Sequence, residues 1–229
     1  ANAVRALGPG QALVVDGGGE VWYFDGSTWS SRGHWETTTS SYDVDIDSLG
    51  NIWACGAGGA ARRDAVTGQW QRYRITNTSQ IDFFNNDLTV RADGTMYATA
   101  NAGPGAGGMV KFDGLRWTGF NQLQYGLGFD WPFNGDNSAR VYLRPSNGEV
   151  VVNPMFAFLH TWDGTGWTDM QYERASASDM IEDSTGRLWA ATNGVLSTYN
   201  GSSWTQVSDL GGVKLRTDPT RTGTVWCMS

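Results

Sequence analysis

Apolar and polar positions alternate along this chain in short bursts, each closed by a turn signal. The clearest stretch spans residues 180–204, "MIEDSTGRLWAATNGVLSTYNGSSW": a short apolar run, a Gly turn, "RLWAAT", an Asn-Gly turn, "VLSTY", a second Asn-Gly turn and a closing Trp. A period of two over a few residues predicts a β-strand, and Asn-Gly or Asp-Gly between two such runs predicts a tight hairpin. The stretch therefore predicts four antiparallel strands, near 180–182, 187–192, 195–199 and 203–207.

The same unit recurs. Its closing turn, aromatic-Asp/Asn-Gly-x-x-Trp, appears as "FDGSTW" at Trp29, "FDGLRW" at Trp117, "WDGTGW" at Trp167 and "YNGSSW" at Trp204, with a looser "DAVTGQW" at Trp70. Successive closing Trp residues lie 41, 47, 50 and 37 positions apart. A second series, Gly, two further residues, then a large apolar side chain, is anchored at Trp53, Tyr97, Val151, Trp189 and Trp226, with Leu13 as an earlier copy. A repeat of about 40 to 50 residues with four short strands is a meander too small to bury both faces by itself. Stacking such sheets radially solves this, so the expected fold is all-β: a small β-propeller of four-stranded antiparallel blades.

The residues that carry this unit resemble a known repeat. "IEDSTGRLWAATNGVLSTYNGSSW" is similar to the two-component-regulator type propeller repeat, I-x-D-x-x-G-x-L-W-x-x-T-x-x-G followed by a hydrophobic residue and Tyr, and "VDIDSLGNIWACGAGG" is the next best copy. The resemblance implies a propeller; the large sensor domains of that family hold more blades than this chain. The closing turn departs from the Asp-box of sialidase-like propellers, because Asp and Gly are adjacent in it. One propeller domain is expected over 1–229, with five blades and a ring closed by residues 213–229 joining the N-terminal blade. A six-bladed ring or a strand exchange between chains is the alternative. The five-bladed architecture is similar to the tachylectin type, a sugar-binding protein, although its motifs are not found in this sequence.

Composition narrows the function. With 31 Gly and 17% charged residues in 229, the chain suits tight turns between strands. A formal net charge of -7 disfavours a phosphate backbone as partner, so no nucleic acid is expected. No apolar run is long enough to span a membrane. The start at Ala1 fits removal of an initiator Met or of a signal peptide; a secreted or extracellular location is the expectation, with the cytoplasm as alternative.

Recurring residues are read as structural. Trp29, Trp53, Trp70, Trp117, Trp167, Trp189, Trp204 and Trp226 are expected as core wedges between blades. Asp25, Asp113, Asp163 and Asn200 are expected to hold their turns through side-chain to backbone hydrogen bonds. Asp45 with Asp47, Glu182 with Asp183, and Asp93 and Asp218 recur at one junction, which favours turn-making over acid-base chemistry. The Gly-rich stretch 101–108 lacks the Lys and helix of a phosphate cradle and reads as a hairpin tip. Two His residues and no clustered Cys/His set predict no metal and no cofactor, and no G-x-S-x-G elbow is present. Cys55 and Cys227 are expected as free thiols.

Residues that break the repeat are the site candidates. Trp35 lies between His34 and Glu36 in one long insertion, and Trp131 lies beside Asp130 and near Asn134 in another. An exposed indole beside a carboxylate or amide binds a sugar, the ring packing on C–H bonds while polar groups fix the hydroxyls. The alternative is that these aromatics fold back to cap the ring. The functional expectation is a non-enzymatic, lectin-like module with several weak sites for glycans or glycoconjugates. The alternative is a sensor, hydrolytic or lyase-type propeller with one ligand site in the axial channel.

Overall fold

The computed structural model describes residues 2–36, 40–74, 87–100, 108–121, 138–154, 159–172, 177–192, 194–209, 214–218 and 220–228. The chain packs as two compact units, Ala1–Tyr125 and Gly126–Ser229. Asp130, Trp131 and Asn134 lie outside the described residues, as does nearly all of the Gly-rich stretch.

Unit 1 holds three four-stranded antiparallel meanders. The first is β1 (Ala3–Gly8), β2 (Gln11–Val15), β3 (Glu20–Phe24) and β4 (Trp29–His34). The second is β5 (Ser41–Ile46), β6 (Ile52–Gly56), β7 (Gly59–Arg63) and β8 (Trp70–Tyr73). The third is β9 (Leu88–Val90), β10 (Met96–Ala100), β11 (Gly108–Phe112) and β12 (Trp117–Asn121).

Unit 2 repeats the plan. One meander is β13 (Ser138–Leu143), β14 (Val150–Pro154), β15 (His160–Trp162) and β16 (Trp167–Asp169). The next is β17 (Ala177–Glu182), β18 (Leu188–Thr192), β19 (Val195–Tyr199) and β20 (Trp204–Ser208), which matches the predicted strands with an earlier start to the first. A two-stranded sheet, β21 (Lys214–Thr217) and β22 (Val225–Met228), follows. Among the described residues the C-terminal strands β21 and β22 pair with each other.

The closing turns explain why the meanders form. Gly26, Gly114, Gly164 and Gly201 occupy one repeated position with φ between 95° and 108°, where a side chain would be strained. Glycine first in a two-residue loop is the geometry whose twist matches antiparallel strands. The preceding Asp or Asn locks it: Asp25, Asp113, Asp163 and Asn200 each accept the amides two and three residues on, as the sequence predicts.

Packing follows from the two faces of each middle strand. In β6, Trp53 and Cys55 face the third sheet and join a core with Tyr73, Leu88, Met96 and Phe112. The alternate residues Ile52 and Ala54 face the first sheet and join Leu13, Val15, Val21 and Trp35. A strand buried on both faces loses its polar alternation, which is why β6 reads as apolar throughout. In unit 2, Val151, Met170 and Tyr172 pack on Met180, Leu188 and Ala190, while Ala191 and Leu196 pack on Leu215.

Candidate functional site

The first strand of each sheet has one edge without a ladder partner, and its amides need acceptors. At β9 and β21 carboxylates of the preceding sheet supply them, and at β17 the Tyr142 hydroxyl accepts the Glu182 amide. Asp43 Oδ2 accepts the Leu88 amide at 3.1 Å and Asp45 Oδ2 accepts the Val90 amide at 3.0 Å, so β5 and β9 run side by side in one direction. Asp179 Oδ2 accepts the Leu215 amide at 2.9 Å in unit 2, at the position equivalent to Asp43.

Asp45 adds a charge partner. Its Oδ1 lies 3.0 Å from Arg5 Nε, and the Arg5 side chain keeps 49% of its surface exposed. Burial pushes the Asp45 carboxyl up to about 6, against the pull of Arg5 and of the Ile46 and Val90 amides. The position equivalent to Asp45 in β17 is Ile181, so the ion pair is not repeated there. Asp43 and Asp87 are partly exposed near the same strands, and with burial they raise the Cys55 thiol well above its usual range. That removes Cys55 as a nucleophile at neutral pH.

Both acidic pairs read as turn-makers therefore divide their labour. Asp47 and Asp183 do hold the turn, each accepting amides two and four residues on. Asp45 and Glu182 instead reach to neighbouring sheets: Glu182 accepts Arg144 Nε at 2.9 Å, the Ser146 amide at 2.9 Å and Ser146 Oγ at 2.7 Å.

Trp35 is not the exposed platform expected of it. It is 1% exposed, lies in the seam between the first and second sheets, and donates Nε1 to Ser41 Oγ at 2.8 Å. Its carbonyl accepts Arg72 Nε at 2.5 Å, and Glu36, also buried, pairs with Arg74. The segment lies so close to its neighbours that a Cβ on Gly19 would stand 2.1 Å from the Glu36 carbonyl oxygen, and one on Gly56 would stand 2.9 Å from the Trp35 ring. The crossover from β4 to β5 must pass this seam, and its one large apolar side chain fills it. His34 stays half-exposed, 3.9 Å from Glu20.

The repeated Trp residues are not uniform either. Trp53 is fully buried; Trp70 and Trp204 are half-buried and donate Nε1 to the Arg32 and Met170 carbonyls of the preceding sheet, both at 3.0 Å. Trp29 and Trp226 are instead 52% and 55% exposed, contrary to their reading as core wedges. Trp29 belongs to the first sheet of unit 1, which has no preceding sheet there to cover it. Position in the repeat series was the one sequence signal for this.

Among the described residues no group of three or more His, Cys, Asp or Glu is placed to hold a metal ion, and no helix is long and apolar enough to cross a membrane. Cys55 and Cys227 are free thiols.

No protein-family model and no curated protein matches the chain. Solved propeller structures do. Virginiamycin B lyase from Staphylococcus aureus, in an inactive form with quinupristin, aligns with a TM-score of 0.74 at 10% identity over 98% of this chain and 76% of the other. An extracellular domain of a hybrid two component system from B. thetaiotaomicron aligns at 0.69 and 14% identity over 95% of this chain and 29% of that one. A gluconolactonase from Xanthomonas campestris aligns at 0.59 and 16% identity, over 90% and 74%. The chain is similar to these in fold: it is a propeller repeat protein, and at such identities the likeness extends no further.

Proposed function

We propose that this chain is a non-enzymatic ligand-binding propeller and that its ligand is a carbohydrate. The observation that carries the reading is the commitment of the inner-strand carboxylates. Asp43 and Asp45 already accept backbone amides, which makes them fixed acceptors. Beside them the Arg5 side chain stays half-exposed. Fixed acceptors next to an open guanidinium fork suit a neutral ligand rich in hydroxyls, each of which both donates and accepts.

The aromatic surface for sugar C–H faces is assigned to Trp131, flanked by Asp130 and followed by Asn134. Glycans or glycoconjugates are the partners, and no cofactor is required. An extracellular location is in keeping with the extracellular sensor domain among the similar folds. The similar lyase structure contains quinupristin, and a gluconolactonase is among the similar folds.

A second reading, one sensor-type site, is favoured by a specific observation: the Arg5–Asp45 pair has no counterpart at Ile181. Binding to immobilised glycans tests the first reading, and calorimetric stoichiometry separates the two. Several equal sites per chain support the lectin form, one site supports the sensor form, and no binding by the folded chain removes the carbohydrate assignment.

A further inference from the structure

The outer strands of the first two sheets gather positive charge in a chain whose formal net charge is -7. Arg32 on β4, Arg62 and Arg63 on β7, Arg72 on β8 and Arg74 just after it are five of the 16 basic residues. Arg72 and Arg74 are committed to the seam between these sheets: Arg72 donates to the Trp35 and His34 carbonyls, and Arg74 pairs with Glu36. Arg32 and Arg63 are held differently.

The Arg32 carbonyl accepts Arg63 Nε and Trp70 Nε1, both at 3.0 Å. That fixes the Arg63 side chain by one donor and leaves the N–H groups of its two terminal nitrogens. The Arg32 guanidinium stacks on the Tyr23 ring, 4.8 Å from its centroid, which supports the cation and keeps its in-plane donors for another partner. Tyr23 and Trp70 pack against one core between the two sheets, so both arginines lie in the same seam, and both are half-buried. Partial burial, and after it the Arg32 charge, hold the Arg63 guanidinium below its usual range, as two like charges in one seam must. Neither forms an ion pair with a carboxylate among the described residues. Asp64, which acts on Arg63 from beyond ion-pair reach, already accepts the Val66 and Thr67 amides and the Thr67 hydroxyl.

Two neighbouring guanidinium groups without a counter-charge repel each other until an anion joins them. Each presents N–H donors in a fork that matches a pair of oxygens. A carboxylate, with two oxygens, saturates one fork; a tetrahedral oxyanion has oxygens for both. We propose that Arg32 and Arg63 form an oxyanion site for a sulfate or phosphate group, in the seam between the first and second sheets at their outer strands. The site goes beyond the carbohydrate reading and does not depend on it. A sulfate ester on a glycan and a phosphate monoester are the two sources of this one chemistry.

The test titrates the intact chain with sodium sulfate and with sodium phosphate, at an ionic strength held constant with chloride, and follows the arginine Nε–H signals by NMR. The Arg32 and Arg63 signals are expected to move together and to saturate. Arg32→Gln, whose main-chain carbonyl still holds Trp70 and Arg63, is expected to stay folded and to bind the ion at least tenfold more weakly. Arg63→Lys, which keeps the charge but loses the fork, is expected to weaken it as well. A sulfated and a phosphorylated monosaccharide in the same titration identify the source, as the one that saturates the signals at the lower concentration. Signals that move no more than in chloride, or unchanged affinity in folded Arg32→Gln, overturn the proposal. Inorganic ions carry no sugar, so such a failure leaves the carbohydrate reading standing, and a failure of glycan binding leaves this site standing.

Discussion

Asp45 and Val90 are 45 residues apart in sequence, and the Asp45 Oδ2 accepts the Val90 amide at 3.0 Å. With Arg5 on its other oxygen, this one buried side chain ties together the first strands of all three sheets of unit 1. The arrangement makes the cohesion of the inner strands of unit 1 depend on pH.

Burial raises the Asp45 carboxyl from 3.8 to about 6. Between those values the folded chain holds a proton that the unfolded chain has released. The contribution of Asp45 to stability is therefore complete below about pH 4 and is lost as pH rises through about 6, by up to about 3 kcal/mol. Asp45→Asn keeps an acceptor oxygen and abolishes the titration. Urea unfolding at several pH values is expected to show the wild type losing about 2 kcal/mol relative to Asp45→Asn from about pH 4 to about pH 7.5. Parallel pH profiles for the two proteins would contradict the assignment.

The buried Trp35 is a structural wedge. Trp35→Ala is expected to destabilise the chain by about 3–5 kcal/mol through the cavity it leaves. Gly56→Ala is expected to destabilise it as well, because the new Cβ would stand 2.1 Å from the Ser40 carbonyl oxygen and 2.9 Å from the indole. Thermal or urea unfolding reads both, and a Trp35→Ala protein of wild-type stability would show that the seam closes without the ring.

Glu182 and Arg144 form a buried pair, with Arg144 Nη2 2.8 Å from Glu182 Oε1. Arg144→Met leaves the carboxylate without its cation and is expected to cost about 3–5 kcal/mol. Adding Glu182→Gln removes the stranded charge and should recover more than half of that loss. A double variant no more stable than the single one would mean that Arg144 acts through packing alone.

Thiol chemistry separates the two cysteines. Cys227 is partly exposed and Cys55 is buried with its thiol pushed up by burial and by Asp43 and Asp87. Under native conditions one thiol per chain is expected to react with an aromatic disulfide reagent on the fast timescale and the second only upon unfolding. Two fast thiols would place Cys55 in an opened seam.

The sequence disclosed most of the fold because the fold is local and repetitive. A strand is legible from alternation, and an Asp-Gly or Asn-Gly turn from the conformations those residues allow, which is why 195–199 was placed to the residue. What alternation does not carry is the partner across a seam. Trp35 and Trp29 have similar polar neighbours in sequence, yet one is buried and the other exposed, because the first is covered by the next sheet and the second has no sheet before it in its unit. The same blindness hid the role of Asp45, whose amide donor, Val90, lies a full repeat away and whose neighbour Asp47 does make the turn. The aromatic–polar set at Trp131 is read from the sequence alone, where it breaks the repeat.

Binding of the purified chain to a broad glycan array, in parallel with Arg5→Gln and Trp131→Ala, tests the carbohydrate assignment most directly. The expected result is selective binding by the wild type that falls at least tenfold in either variant, while Trp131→Ala unfolds at the wild-type temperature within a few degrees and Arg5→Gln, though less stable, is folded under the assay conditions. Failure of the folded wild-type chain to retain any glycan, or full retention by both variants, would contradict the account.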